Sequence, residues 1–172
     1  MAKVSVSIGS NIERERHVRA CLDALAASFG PLDVSRVFES EPVGFEDGRN
    51  FYNLVVAFES RWPVGELQAW CKRLEAANGR VKDGPKYSPR TLDIDILTLG
   101  TLTGMHDGVE LPRDEILHHA FVLQPMAELL PEARHPLTDK SYLDHWAAFT
   151  AHDQRLWPVD FVWNGRLISR AV

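Results

Sequence analysis

The chain has 172 residues, 45% hydrophobic and 25% charged, the balance of one globular domain rather than of a disordered chain. It carries two cysteines and a net charge of -5, which exclude a disulfide framework or cysteine zinc site as organiser and disfavour nucleic acid as partner. No apolar run approaches the roughly 20 residues that span a bilayer, and no signal-peptide core is visible at the N-terminus, so a cytoplasmic location is expected.

Val4, Val6 and Ile8 alternate with polar residues and predict a first strand. Gly9-Ser10-Asn11 breaks it, and Asn11 is a candidate cap for the next helix. Val18, Cys21, Leu22, Leu25 and Phe29 recur at helical spacing and predict a helix over 13–28. Residues 32–40 and 51–59 read as strands, separated by a loop rich in Pro, Gly and charge. Pro63 opens a second helix with Leu67, Trp70, Cys71 and Leu74 on its apolar side. Residues 79–91 form a polar loop, and 92–99 a further strand. This order is βαββαβ, the ferredoxin-like arrangement of an α+β fold, with helices on one face of an antiparallel sheet. Beyond it, 101–112 read as a hairpin around Asp107-Gly108, and 121–130 and 141–150 as helices. Asn164-Gly165 marks a hairpin near the C-terminus. The whole of 1–172 is read as one domain, with a core over about 3–131 and an extension over about 132–172.

The chemistry concentrates in 79–96. Asp93 and Asp95 lie two apart in a strand and therefore point to one face. Paired carboxylates repel unless a cation sits between them, and hard oxygen ligands suit Mg²⁺ shared with substrate phosphates. The plain alternative is an edge strand with a solvated polar face. Arg80, Lys82, Lys86 and Arg90 add four cations within eleven residues, in a loop shaped by glycine and proline. Cations beside a dicarboxylate are what a polyphosphate requires. There is no P-loop motif, so the phosphate grip must come from side chains. On the strand at 51–58, Phe51 and Asn53 share a face, an aromatic beside an amide that suits a flat heterocycle. An ordinary core strand is the alternative there.

These segments together resemble the 6-hydroxymethyl-7,8-dihydropterin pyrophosphokinase family of folate biosynthesis. The resemblance rests on Ile8-Gly9-Ser10-Asn11, Ser40-Glu41-Pro42-Val43-Gly44, Phe51-Tyr52-Asn53, Gly79-Arg80-Val81, Pro89-Arg90-Thr91-Leu92-Asp93-Ile94-Asp95-Ile96 and Ala120-Phe121-Val122-Leu123 with Pro125. It runs in one order over about 3–131. It implies transfer of the terminal pyrophosphoryl group of ATP to a pterin's hydroxymethyl oxygen, with release of AMP. By position, Asp93 and Asp95 are implied to hold two Mg²⁺ ions. Arg80 and Arg90 are implied catalytic residues on the phosphates, with Glu75, Lys82, Arg113 and His119 completing the ATP site. Phe51 and Phe121 are implied to sandwich the pterin. Asn53 would bond its polar edge, with backbone around Ser40 and Val43. Pterin and ATP are the implied partners, with no nucleic acid or membrane, and a monomer is compatible with this.

Four positions depart from the family pattern. Lys82 replaces an arginine, and Tyr87 a tryptophan. Arg113 stands where the family has histidine, and His119 where it has arginine, as though this pair were exchanged. Arg and Lys differ at bidentate sites, and a histidine contributes charge only below its pKa. His118 and His119 fall in a helix-like stretch, where adjacent residues do not share a face. A two-histidine metal site is therefore not expected; His119 is assigned to the phosphates and His118 to solvent. A catalytically weak paralogue that binds pterin or nucleotide is the rival reading. A plain structural module that dimerises through its tail hairpin is a third.

Overall fold

The alternation at the N-terminus becomes β1 (Ala2–Ser10), the strand on which the sheet is built. The computed structural model describes residues 1–42, 49–79, 91–150 and 153–172. Chain order continues with α1 (Arg14–Phe29), β2 (Asp33–Val34), β3 (Val37–Ser40), β4 (Phe51–Ser60), α2 (Val64–Ala77) and β5 (Asp93–Leu99). Then follow β6 (Gly104–His106), β7 (Val109–Leu111), a 3-10 turn at Asp114–Leu117, α3 (Ala120–Leu129) and α4 (Tyr142–Ala147). The chain ends with β8 (Leu156–Val159), β9 (Phe161–Trp163) and β10 (Arg166–Ser169).

The main sheet runs β5-β1-β4-β3-β8, with β2 also paired to β4. Both neighbours of β1 are antiparallel to it. The first four strands of that order, with α1 and α2, form the expected ferredoxin-like core. Period-two alternation divides the sheet into two faces. Val4, Val6, Ile8, Tyr52, Leu54, Val56, Ile94 and Ile96 enter one core with Val18, Cys21 and Leu22 of α1 and Leu67 and Cys71 of α2. Burial raises the pKa of both thiols, Cys71 to about 12, so neither is a ready nucleophile. Phe29 closes this core, stacked on Phe58 at 4.5 Å and edge-on to Trp62 and Trp70.

The opposite face is covered in part. Val55 and Leu97 meet Ile116, Val122, Leu123, Met126 and Tyr142 in a second apolar cluster under α3 and α4. The helices beyond the core motif thus pack on the face that α1 and α2 leave open. The strand side chains that the second cluster does not cover form the candidate site.

Three local expectations are corrected. Asn11 does not cap α1; the cap position is Glu13, in the left-handed region at φ 43° and without a side-chain cap bond. The Asn11 amide instead donates to the Arg49 carbonyl at 3.4 Å. His118 and His119 are not inside a helix: they connect the 3-10 turn to α3, with His119 at the cap position. Finally, the extension adds a strand to the main sheet, not only a helix and a hairpin. β8 pairs with β3, Ser40 opposite Leu156 and Phe38 opposite Pro158. Pro158 hides this strand from pattern reading, and an outer strand tolerates it because one of its edges needs no ladder bond.

A hydroxyl of the terminal hairpin bonds to this edge. Ser169 Oγ accepts from the buried Val37 amide at 2.9 Å and donates to the Val159 carbonyl at 2.5 Å. Ser169→Ala leaves the Val37 N–H unsatisfied and is expected to cost about 1–3 kcal/mol. Urea unfolding measures this. An unchanged midpoint would show that the hairpin lies outside the cooperative unit.

Candidate active site

The site is assembled by register on the half-covered face. Gly9 of β1 lies opposite Asp93 of β5 on one side and Asn53 of β4 on the other. Ser7 likewise lies between Asp95 and Val55. A side chain on Gly9 would occupy the space between the two flanking strands. An ideal Cβ there would stand 3.4 Å from Asn53 Oδ1 and 3.8 Å from Phe51 Cδ1. The glycine therefore leaves a hollow, with carboxylates at one end and an aromatic–amide pair at the other.

At the amide end, buried Asn53 donates from Nδ2 to Ser40 Oγ at 2.6 Å. This turns Oδ1 toward the Gly9 hollow, as an acceptor. Phe51 is one position along the same face, opposite Ser40 in the β3–β4 register. Its approach is set from α1: Arg14 donates to the Asn50 carbonyl at 3.2 Å and lies over the Tyr52 ring, 4.0 Å from its centroid. Phe121, at the start of α3, shares a small cavity of about 190 Å³ with Ser40. Its ring lies 4.7 Å from that of His119.

At the carboxylate end, Asp95 is largely buried beside Asp93. Burial, then the Asp93 charge, push its pKa well above the ordinary carboxylate range; Arg113 and Lys72 oppose that rise. Arg113 Nη2 is 3.6 Å from Asp95 Oδ1 and 3.1 Å from Glu115 Oε1. A local irregularity brings it there. The β1–β5 register shifts between Ser5 and Val6, and the Leu97 carbonyl accepts the Arg113 amide at 2.9 Å. His119 Nδ1 addresses the other oxygen of Glu115 at 3.9 Å. The exchanged pair thus converges on one carboxylate. Burial lowers the His119 pKa, and Arg113 is the fixed cation of the two.

Two more groups frame this end. Ser10 Oγ donates to the Thr91 carbonyl at 2.6 Å, joining the end of β1 to the approach of β5. Glu75 on α2 accepts the Ile94 amide at 2.9 Å, between the two aspartates, and pairs with Lys72 at 3.3 Å. Its carboxylate thus supports the backbone of β5.

Of the sequence-derived residues, Asp93, Asp95, Arg113 and His119 gather at one end, and Ser40, Phe51, Asn53 and Phe121 at the other. Glu75 braces the strand between the aspartates. Arg80, Lys82, Arg90, Val43 and Tyr87 lie outside the described residues. Sequence reasoning missed Lys72 and Glu115 as partners of the charged cluster. Lys72 sits three residues before Glu75, an ordinary helical pair, and nothing local distinguishes it.

The donor set fits a hard divalent cation. Among the described residues no group of three or more His, Cys, Asp or Glu could hold a metal. Mg²⁺ does not require one, because it binds through one or two carboxylates and completes its shell with water and phosphate. Two crowded carboxylates, one strained toward protonation, are such a half-site. Thr91 Oγ1, Arg113 Nε and His119 Nδ1 are buried without a hydrogen-bond partner among the described residues. Buried polar groups are rarely left so in a site with no ligand.

Residues 5–131 match the family model of 7,8-dihydro-6-hydroxymethylpterin-pyrophosphokinase. The 2-amino-4-hydroxy-6-hydroxymethyldihydropteridine pyrophosphokinase of Pseudomonas aeruginosa is 34% identical over 142 residues, covering 78% of this chain and 84% of that one. A mitochondrial folate synthesis bifunctional protein of Arabidopsis thaliana is 32% identical over 154 residues, 87% of this chain and 26% of that protein. In structure, the HPPK-DHPS of Plasmodium falciparum aligns over 98% of this chain and 50% of its own, with a TM-score of 0.71 at 12% identity. This chain therefore spans about a quarter of the plant protein's length and half of the Plasmodium chain's. It belongs to the 7,8-dihydro-6-hydroxymethylpterin-pyrophosphokinase family.

Proposed function

We propose that this chain transfers the terminal pyrophosphoryl group of ATP to 6-hydroxymethyl-7,8-dihydropterin. The pterin's hydroxymethyl oxygen attacks the β-phosphorus and releases its proton to solvent water. The bond from that phosphorus to the α–β bridging oxygen breaks, and AMP leaves with that oxygen. The observation that carries this reading is the shared register of Asp93, Gly9 and Asn53. Two strand spacings separate the outer pair, about 10 Å in the sheet plane. A bicyclic ring held over β4 would direct a one-carbon substituent toward the carboxylates of β5.

In this reading Phe51 and Phe121 stack on the ring, and Asn53 Oδ1 accepts from its N–H groups. Backbone near Ser40 and Val43 completes the ring's polar contacts. Asp93 and Asp95 hold two Mg²⁺ ions. When bound, these supply charge neutralisation and polarise the phosphoryl group. Arg80, Lys82, Arg90 and Arg113 bind phosphate oxygens, and Arg90 follows the charge that develops on AMP. His119 adds a donor at neutral pH and a cation in acid. Glu75 holds the backbone of β5 between the metal-binding side chains. All these groups come from one chain, so the reading requires only a monomer. Composition supports a cytoplasmic location, and no helix among the described residues is long and apolar enough to cross a membrane.

The test is product formation. Purified protein with MgATP and the dihydropterin is expected to yield AMP and pterin pyrophosphate, separated by chromatography. Asp95→Ala is expected to lower the rate on the order of 10³-fold while keeping a cooperative melt. Absence of AMP from the wild type, with pterin binding intact, would replace this reading with the binding paralogue. A second expectation concerns Gly9→Val, which fills the hollow. It should weaken binding of 6-hydroxymethylpterin more than tenfold, read by fluorescence quenching, with little change in melting temperature. Unaltered affinity would place the ring elsewhere. A third concerns pH. Because burial lowers the His119 pKa, its charge forms only below the ordinary value of about 6.5. The ratio of ATP KM in His119→Asn to that in the wild type should be near one at pH 8 and rise toward acid. A ratio independent of pH would remove His119 from the phosphate site.

A further inference from the structure

Helix α3 begins without a cap of its own. His119 at its cap position makes no side-chain cap bond, and its first turn carries no acidic residue. The cap arrives from the C-terminal extension. Gln154 Oε1 accepts the Ala120 amide at 2.7 Å, and Gln154 Nε2 donates to the His118 carbonyl at 2.8 Å. One side chain thus satisfies a donor and an acceptor on either side of His119. Two residues later, Leu156 pairs with Ser40, the residue whose hydroxyl holds Asn53. The short stretch from Gln154 to Leu156 therefore touches both supports of the ring site, the start of α3 that carries Phe121 and the end of β3 that orients Asn53. A cavity of about 190 Å³ lies between Ser40, Phe121 and this stretch.

We propose that Gln154 is a positioning residue for the aromatic substrate. It clamps the first turn of α3, and so fixes Phe121 against the strand that carries Phe51 and Asn53. Gln154 lies beyond residues 5–131, which the family model matches, in the C-terminal extension. A planar ring gains from a second stacking face only when that face is held in place. An unanchored Phe121 must be ordered on binding, and that cost subtracts from affinity. The inference rests on the proposed pterin site, and adds that the extension sets its affinity.

The test compares Gln154→Ala with Gln154→Glu at pH 8, where His119 is neutral in both. Alanine removes both bonds. Glutamate keeps an acceptor for the Ala120 amide and adds a favourable negative charge at a helix N-terminus, but it loses the donor to the His118 carbonyl. Gln154→Ala is expected to weaken 6-hydroxymethylpterin about fivefold by fluorescence quenching, to change MgATP affinity less than twofold, and to speed amide exchange at 120–123 about tenfold. Gln154→Glu, which keeps one of the two bonds, should fall between alanine and the wild type in both pterin affinity and exchange rate. Equal weakening of both ligands, unchanged pterin affinity, or a glutamate variant no better than alanine would overturn the proposal. AMP formation by the wild type is followed in parallel. If the wild type forms no AMP, the proposed reaction fails, but exchange at 120–123 still decides whether Gln154 is the clamp: equal exchange in all three proteins overturns it.

Discussion

Everything in the site follows from how β1 is paired. It is bounded by β4 and β5, antiparallel to both, and side-chain direction alternates with every residue along all three. One register therefore decides which residues become core and which become surface. As paired, Ile8, Leu54 and Ile94 meet under α1 and α2, and Gly9, Asn53 and Asp93 meet on the other side. A slip of one residue in β5 would bury both aspartates among leucines and expose Ile94 and Ile96. The cost of burying unpaired carboxylates greatly exceeds that of any other error in this sheet. The apolar residues thus set the register, and the register places the chemistry. Gly9 contributes by what it lacks: any larger residue there would join the two ends of the hollow into a wall.

At the charged end Asp95 is only loosely paired. Asp93 and Asp95 crowd each other, and Arg113 reaches Asp95 only at 3.6 Å while making a closer bond to Glu115. A tight pair between Arg113 and Asp95 would stabilise the empty protein but would have to be broken when a cation arrived. In the proposed reading, the looser arrangement leaves Asp95 attractive to a dication and the guanidinium available for phosphate. Support comes instead from outside the hollow. Glu75 fixes the backbone of β5, and Lys72 lends a positive field without entering the site. Strain at the functional groups and firm bonding behind them is the usual division in a binding site.

Much of this was legible because it is local. Alternation gave the parity of Asp93 with Asp95 and of Phe51 with Asn53. Asp107-Gly108 and Asn164-Gly165 marked hairpins because both residues of each pair take positive φ, as a tight turn of that hand requires. What escaped depends on distant partners. Asn11 has the chemistry of a cap, yet its amide serves Arg49, 38 residues away. β8 carries a proline that only an edge position excuses. No periodicity could say that α3 and α4 cover the second face, since their partners Val55 and Leu97 lie in strands that pattern alone describes only as strands. Gln154 meets Ala120 across 34 residues, and a lone glutamine in a tail carries no signal.

The exchanged pair shows why residue identity and site chemistry must be read separately. Taken position by position, histidine for arginine at 119 removes a permanent cation from the phosphate side, and arginine for histidine at 113 adds one. Read in space, the two side chains converge on opposite oxygens of Glu115. That carboxylate lies near the site whichever of them is charged. The permanent cation of the two, Arg113, lies over the cluster, 3.6 Å from Asp95. The cation rests on the turn docked to Leu97 of β5, and the titratable ring on the first turn of α3, beside the aromatic wall. The motion of that turn therefore influences the ring site more than the charge balance. This is why the clamp from the C-terminal extension matters most for the ring substrate.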